Sequence, residues 1–459
     1  MALGALVLLG ATSPSATVAP PEQRIAARLV SGVLAGETSS NVTTVDFGPD
    51  GLLYVGQQSG LIKVYDIERA GPGKYTVRRT ETLAHVQALV NHDDDGEPNI
   101  EEATRLVTGL VVGGTSEEPV VYVTSSDPRI GGGPGDGPGG AANDTGLDTN
   151  SGVVSRLTRR AGGGWRRFDV VRGLPRSEEN HAPNGMALSP DGRTLYVAQG
   201  GMTNLGAPSH NFAHTPEYAL SAAILSVDLA AVGEATYDLP TLDDPDRPGP
   251  ADAGDPFGGN DGKNQAVAVP GGPVAVYAPG FRNPYDVVRT AAGWLSTIDN
   301  GANAGWGGVP RGEGDGGECT NEVRDGGGEV LDVLHLMDGP GYYGGHPNPT
   351  REQCDHRLPT GEEALAVFPT STNGLAEYRA SALGGALAGD LLAVGFDNVL
   401  WRVDLDSGGD RVLRAAPLVA DVATLPLDVT AQGDHERFPG TIWIGDFADG
   451  TITVLEPKS

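Results

Sequence analysis

An all-β, six-bladed propeller is the fold class this chain predicts, on three observations. Of 459 residues, 69 are Gly and 34 Pro, a turn-rich composition that suits many short strands better than long helices. Apolar residues alternate with polar ones in short runs bounded by Gly, Asp and Pro, the period of a half-buried strand. One pattern also recurs along the chain: strand, Pro-Asp-Gly turn, strand, further strand. Small antiparallel sheets repeated radially close into a ring that protects strand edges. Length alone allows two or three domains, but a closed ring of repeats makes one.

The units follow in chain order. VDFGPDGLLYVGQQSGLIKVYDI from Val45 gives the first, with Leu52-Leu53-Tyr54-Val55 alternating between turns. PVVYVTSSDP with SGVVSRLT gives the second. MALSPDGRTLYVAQGG from Met186, closed by AILSVDL at Ala223, nearly repeats the first and gives the third. YDVVRTAAGWLSTIDNG with EVLDVLHL forms the fourth, GDLLAVGFDNVLWRVDL the fifth and GTIWIGDFADGTITVLEP the sixth. The interruptions at Ile130 to Asn150, Thr236 to Pro270 and Trp306 to Glu329 are too rich in Gly, Pro and Asp to pack a second core. They read as long loops on one face, where function concentrates.

The start, MALGALVLLGATSPSATVAP, has an apolar run too short to span a bilayer, followed by small residues with a cleavage signal at Thr17-Val18-Ala19. We read residues 1–25 as a secretory leader lacking a basic n-region, and 26–459 as a single propeller domain. A secreted, periplasmic or extracellular location follows, with no membrane span. The formal charge of −29 and the lack of a Lys/Arg cluster exclude nucleic acid and anionic membrane surfaces as partners. Export also favours a disulfide between the only two cysteines, Cys319 and Cys354.

Chemistry-bearing residues sit at the connections that open the units. His181, in LPRSEENHAPNGMALSPDG, lies immediately before a unit, where an imidazole is better placed for proton transfer than on a packed strand face. Arg282 and Asn283, in GFRNPYDV, hold the corresponding place before the next unit. In a radial arrangement such connections converge on one mouth. Asp299-Asn300-Gly301-Ala302-Asn303 forms an oxygen-rich turn able to aim carbonyls at a hard cation such as Ca²⁺. NHDDDGEPN at Asn91 is a second acidic cluster, but its contiguous Asp residues do not follow the alternate-position pattern of an EF-hand loop and read as a solvated turn. No GxSxG, HExxH or Walker pattern is present.

Taken together, NHAPNGMALSPDGRTLYVAQGG, GFRNPYDVVRTAAGWLSTIDNGAN and DVLHLMDGPGYYGGHPNP resemble the soluble quinoprotein glucose/sorbosone dehydrogenase family, from about Val30 onward. The resemblance implies a propeller holding pyrroloquinoline quinone (PQQ) and Ca²⁺ at its mouth. It implies oxidation of the anomeric hydroxyl of a sugar to a lactone, with an external electron acceptor. By the same resemblance His181 is the general base and Arg282 stabilises charge developing on the quinone oxygen. Asn283, Tyr285 and Asn300 contact the cofactor, and Gly301 and Ala302 offer carbonyls to calcium. Because a chain of net charge −29 can hold an anionic quinone only by focusing positive charge locally, Arg379 or Arg402 would add a cation for its carboxylates. The chain departs from the family at Asn180, where an Asp precedes the His, at Tyr285 and Asn300, where Gln is usual, and at Leu427, where an Arg commonly binds the cofactor's carboxylates.

Two other functions remain open at this level. A propeller can keep the scaffold and only bind glycan or protein partners. A calcium-dependent lactonase on a similar propeller would require several Asp or Glu side chains converging at the mouth.

Overall fold

The computed structural model describes residues 20–458 apart from 132–143, 161, 248–251, 261, 358–363 and 370. Residues 1–19, which hold most of the expected leader, lie outside the described residues, as does part of the Ile130 to Asn150 loop. Six antiparallel sheets of four or five strands surround one axis. Their innermost strands are Val42–Phe47, Leu106–Gly114, Pro183–Leu188, Pro284–Arg289, Thr372–Glu377 and Pro426–Ala431, for blades 1 to 6. Each packs beside the next, and the sixth returns to the first, so the ring is closed.

The repeated turn explains how each blade folds back. In blade 1, Gly51 takes φ 73°, which a side-chain-bearing residue resists, and the Asp50 carboxylate accepts from Leu52 N and from Tyr54 Oη. Leu53–Gln57 then pairs antiparallel with the inner strand. The core lies between blades, where Val42, Val45, Leu53, Tyr75 and Trp443 form one of several buried clusters. Inner-strand carboxylates also pin neighbours together. Asp46 accepts from Val112 N (2.9 Å), Asp286 from Leu375 N (3.2 Å) and Asp428 from Val45 N (2.7 Å), each bond crossing a blade junction.

All six units expected from sequence are blades, but closure comes from a strand the pattern did not reveal. Leu29–Val33 pairs antiparallel with Ile452–Pro457, so the first strand of the chain completes the last blade. A ring closed by both ends of a chain resists opening because neither end can fray without breaking a sheet. The helix Pro21–Ala26 precedes it and packs Ile25 into the blade 5–6 core.

Inner strands all run in one direction, so their starts define one face, where the connections between second and third strands also emerge. Segments 200–222 and 300–331 are such connections, in blades 3 and 4. The excursion 229–273 leaves from the opposite face and wraps back, pairing Tyr237–Asp238 parallel to the outer strand of blade 2. Cys319 and Cys354 are bridged, tying 300–331 to the next excursion of blade 4. Among the described residues no helix is long and apolar enough to cross a membrane.

Candidate active site at the propeller mouth

A cavity of about 360 Å³ opens where the inner strands begin. His181, Arg282, Asn283, Tyr285, Asn300 and Gly301 all line it, drawn from sequence positions more than a hundred residues apart.

His181 stands just before the inner strand of blade 3. Its backbone N donates to Ser177 Oγ (2.9 Å), and its Nδ1 meets the Gly201 carbonyl at 2.9 Å. A carbonyl can only accept, so Nδ1 carries the proton and Nε2 keeps its lone pair. Burial and then the nearby Arg282 hold the imidazole well below its ordinary 6.5, which keeps it neutral. Glu179 Oε2 lies 3.3 Å from Nε2, and burial raises that carboxyl. With a neutral imidazole the contact is not an ion pair. Glu179, two residues before the histidine, thus places a carboxyl beside the imidazole, where the adjoining position 180 is an Asn.

Arg282 is 4% exposed and makes no ion pair among the described residues. Its Nε donates to Asn204 Oδ1 at 3.2 Å. The turn that carries it is held by one side chain, because Asp299 Oδ2 accepts from Arg282 N (2.9 Å) and Oδ1 from Asn283 N (2.7 Å). Pro284 pairs opposite Asp299 in the sheet. Arg-Asn-Pro before a strand and Asp-Asn-Gly after its partner are therefore two halves of one clasp. The Asp at its centre is pushed up to about 6, first by burial.

Tyr285 reaches across the axis, its hydroxyl donating to the Thr43 carbonyl of blade 1 at 3.0 Å. Asn283 accepts from Asn184 Nδ2 (3.0 Å), and Asn300 Nδ2 donates to Asp332 Oδ2 and to the Thr372 carbonyl. Gly301 fits because a Cβ there would lie 1.9 Å from the Val330 carbonyl oxygen.

Three expected contributors stand elsewhere. Ala302 is buried beside Leu205, does not line the cavity, and its carbonyl already accepts from Val330 N (2.9 Å). Arg379 lines the cavity at the opposite end of the axis, bonded to Glu377 (2.5 Å) and the Arg289 carbonyl. Arg402 is bonded to Asp390 (2.7 Å) within blade 5 and also meets Glu22 and Asp404. Both arginines are committed to neighbouring carboxylates, so neither supplies charge to the mouth.

The remaining lining has its own character. Among the described residues Arg282 is its single cation and Glu179 its single carboxylate, set among amides including Gln58, Asn184, Asn303 and Asn373 and the apolar side chains of Leu427, Phe396 and Phe447. The converging carboxylates a lactonase requires do not meet here, and no cluster of three or more His, Cys, Asp or Glu fit to hold a metal occurs among the described residues. NHDDDGEPN folds as a short hairpin in which Asp93 pairs with Arg129. Sequence reasoning missed Glu179, hidden in an acidic run, and Glu217, which lies outside every motif.

The chain matches no protein-family model and no curated protein. Solved structures do resemble it. A protein designated glucose dehydrogenase from Thermus thermophilus has a TM-score of 0.50 at 19% identity, over 93% of this chain and 99% of that one. The PQQ domain of pyranose dehydrogenase from Coprinopsis cinerea scores 0.53 at 10% identity, over 93% and 95%. A carbohydrate-active enzyme of family AA12 from Trichoderma reesei scores 0.51 at 12% identity, over 94% and 96%. At these identities the likeness is one of fold, and it is the fold of the group the sequence motifs resemble.

Proposed function

We propose that this propeller is an oxidoreductase acting on a hydroxyl of a small neutral sugar at the mouth, with PQQ and Ca²⁺ as cofactors. One observation carries the reading: a neutral, buried imidazole whose Nε2 keeps its lone pair and a buried guanidinium without a carboxylate partner line the same cavity. His181 Nε2 accepts the proton of the substrate hydroxyl, and Glu179 is near enough to share it. Arg282 offers N–H donors to an oxygen on which negative charge develops. The amide-rich lining suits hydroxyl groups, which both donate and accept.

The residues present accommodate PQQ as its calcium complex. The three negative charges of the tricarboxylate are balanced by the two of the metal and the one of Arg282, and Glu179, whose carboxyl burial raises, is the one acidic group of the described lining that opposes them. When bound, the quinone supplies a two-electron acceptor for hydride. Asn300 and the Gly301 carbonyl would hold the metal, with Asn283 and Tyr285 beside the ring system. Secretion behind a leader ending at the Thr17-Val18-Ala19 signal, which leaves the helix Pro21–Ala26 in the fold, oxidation at the anomeric position to the lactone, and release of electrons to an external acceptor complete the proposal.

The test is reconstitution with PQQ and Ca²⁺, followed by dye reduction over a panel of aldoses. We expect turnover with at least one sugar, lowered roughly 10²–10⁴-fold in His181→Ala. The apolar wall of Leu427, Phe396 and Phe447 favours a second reading, a propeller that binds neutral glycans without chemistry. Sugar binding with no dye reduction at any sugar would select it.

A further inference from the structure

Within the 200–222 connection, Glu217 is fully buried and collects five donors: Met202 N (3.0 Å), Thr203 N (3.0 Å), Thr203 Oγ1 (2.7 Å), His346 Nε2 (2.9 Å) and Ser221 Oγ. A carboxylate has about four lone-pair sites, so this one is saturated. Thr203 and Met202 follow directly on Gly201, and Gly201 touches both halves of the proposed chemistry. Its carbonyl receives His181 Nδ1–H, and its N–H donates to the Arg282 carbonyl at 2.7 Å. A Cβ at Gly201 would lie 2.8 Å from Glu217 Oε1 and 3.0 Å from the Arg282 carbonyl oxygen, so the segment is clamped from both sides.

We infer that Glu217 is a positioning residue: by fixing the Gly201 peptide it dictates which ring nitrogen of His181 bears the proton, and it holds the Arg282 backbone against the same turn. This rests on the reading of His181 as the base only for its catalytic consequence. The geometric claim stands apart from it. The alternative role is merely structural, a carboxylate satisfying loop donors with no effect on the imidazole. The two differ because a tautomer is a property of the His181 ring, which a merely structural role would leave unmoved. His346, on the far side of Glu217, donates Nε2–H to it and has no partner at Nδ1 among the described residues, so the same carboxylate orders both imidazoles.

The test reads the ring directly. Long-range ¹H–¹⁵N spectra of histidine-labelled protein, with His181 assigned from the His181→Ala spectrum, are compared between wild type and Glu217→Gln. Whichever way the Gln amide sits, its NH₂ faces a backbone N–H that can only donate, Thr203 N on one side or Met202 N on the other, so the turn must shift. We expect a single Nδ1–H tautomer in wild type and a mixture in Glu217→Gln. Where sugar oxidation is observed, kcat should fall roughly ten- to hundredfold, the cost seen when the outer partner that fixes the ring of a metal-ligating histidine is lost, with KM little changed. A folded Glu217→Gln with the wild-type His181 spectrum overturns the inference. If that variant does not fold, Ser221→Ala and Thr203→Val each remove one donor to the same carboxylate, and an unmoved His181 tautomer in both overturns it equally. Absence of sugar oxidation in wild type counts against the proposed function alone, because the spectra need no turnover.

Discussion

At the scale of single residues, His181 suits the proposed role of base because burial, Arg282 and the Gly201 carbonyl together keep it neutral with a lone pair on Nε2. Its folded value lies below 6.5, so protonation is postponed to lower pH than for a free histidine. The kcat/KM profile should therefore stay level through pH 6.5 and decline only below it, and an acid limb at or above 6.5 would contradict the assignment. His181→Ala should lower kcat by roughly 10²–10⁴, the usual range for a lost general base. Gly301→Ala should be among the costliest small changes at the mouth, since its Cβ meets the Val330 carbonyl 1.9 Å away. We expect a lowered melting temperature together with weakened calcium binding, measured by thermal denaturation with and without the ion. Sequence placed His181, Arg282 and Gly301 because each sits in a turn whose chemistry is local. It misplaced Arg379 and Arg402, because nothing local tells an arginine facing a cavity from one paired with Glu377 or Asp390. Glu217 was illegible for the opposite reason, since its partners at 202, 203, 221 and 346 meet only in three dimensions.

At the scale of elements, the blades were legible where a Pro-Asp-Gly turn separates two alternating strands, as at 49–51 and 190–192. Leu29–Val33 was not, because LVSGV is short and its partner strand lies at the other end of the chain. Deleting residues 20–33 should open the ring and sharply lower the denaturant midpoint, whereas a folded ring of unchanged stability would show that closure lies elsewhere. The Cys319–Cys354 bridge spans 35 residues and ties together two excursions of blade 4. On the chain-entropy model it contributes about 3–4 kcal/mol, so Cys354→Ala should shift the urea midpoint by that equivalent. The bridge was expected from export and cysteine number. Its partners in space, the long excursions of blade 4, were not, because Gly-rich loops carry no periodicity to fix their paths.

At the scale of the whole molecule, a strongly acidic body encloses many buried carboxyls. Burial pushes Asp46 and Asp332 up to about 7, and raises Asp286 well above the usual carboxylate range with help from Asp428. A carboxyl that titrates higher folded than unfolded binds its proton more tightly in the fold. Its stabilisation is complete below the unfolded value of 3.8 and disappears as pH rises through about 7. Histidines act in the reverse sense: His335, pushed down to about 4 by burial, costs stability as pH falls below 6.5. In EDTA the melting temperature should accordingly be higher near about pH 6 than near about pH 8, and added salt should raise it most at the higher pH, where self-repulsion of a −29 chain is greatest. At the mouth this acidic body presents a buried guanidinium without a carboxylate partner. The most direct test of the account is a titration of the purified protein with PQQ, followed by tryptophan fluorescence, in calcium and in EDTA. The account predicts saturable binding in calcium at micromolar concentration or tighter, lost in EDTA and in Arg282→Met because neither charge suffices alone. Absence of binding in calcium, or binding indifferent to both calcium and Arg282, would contradict it.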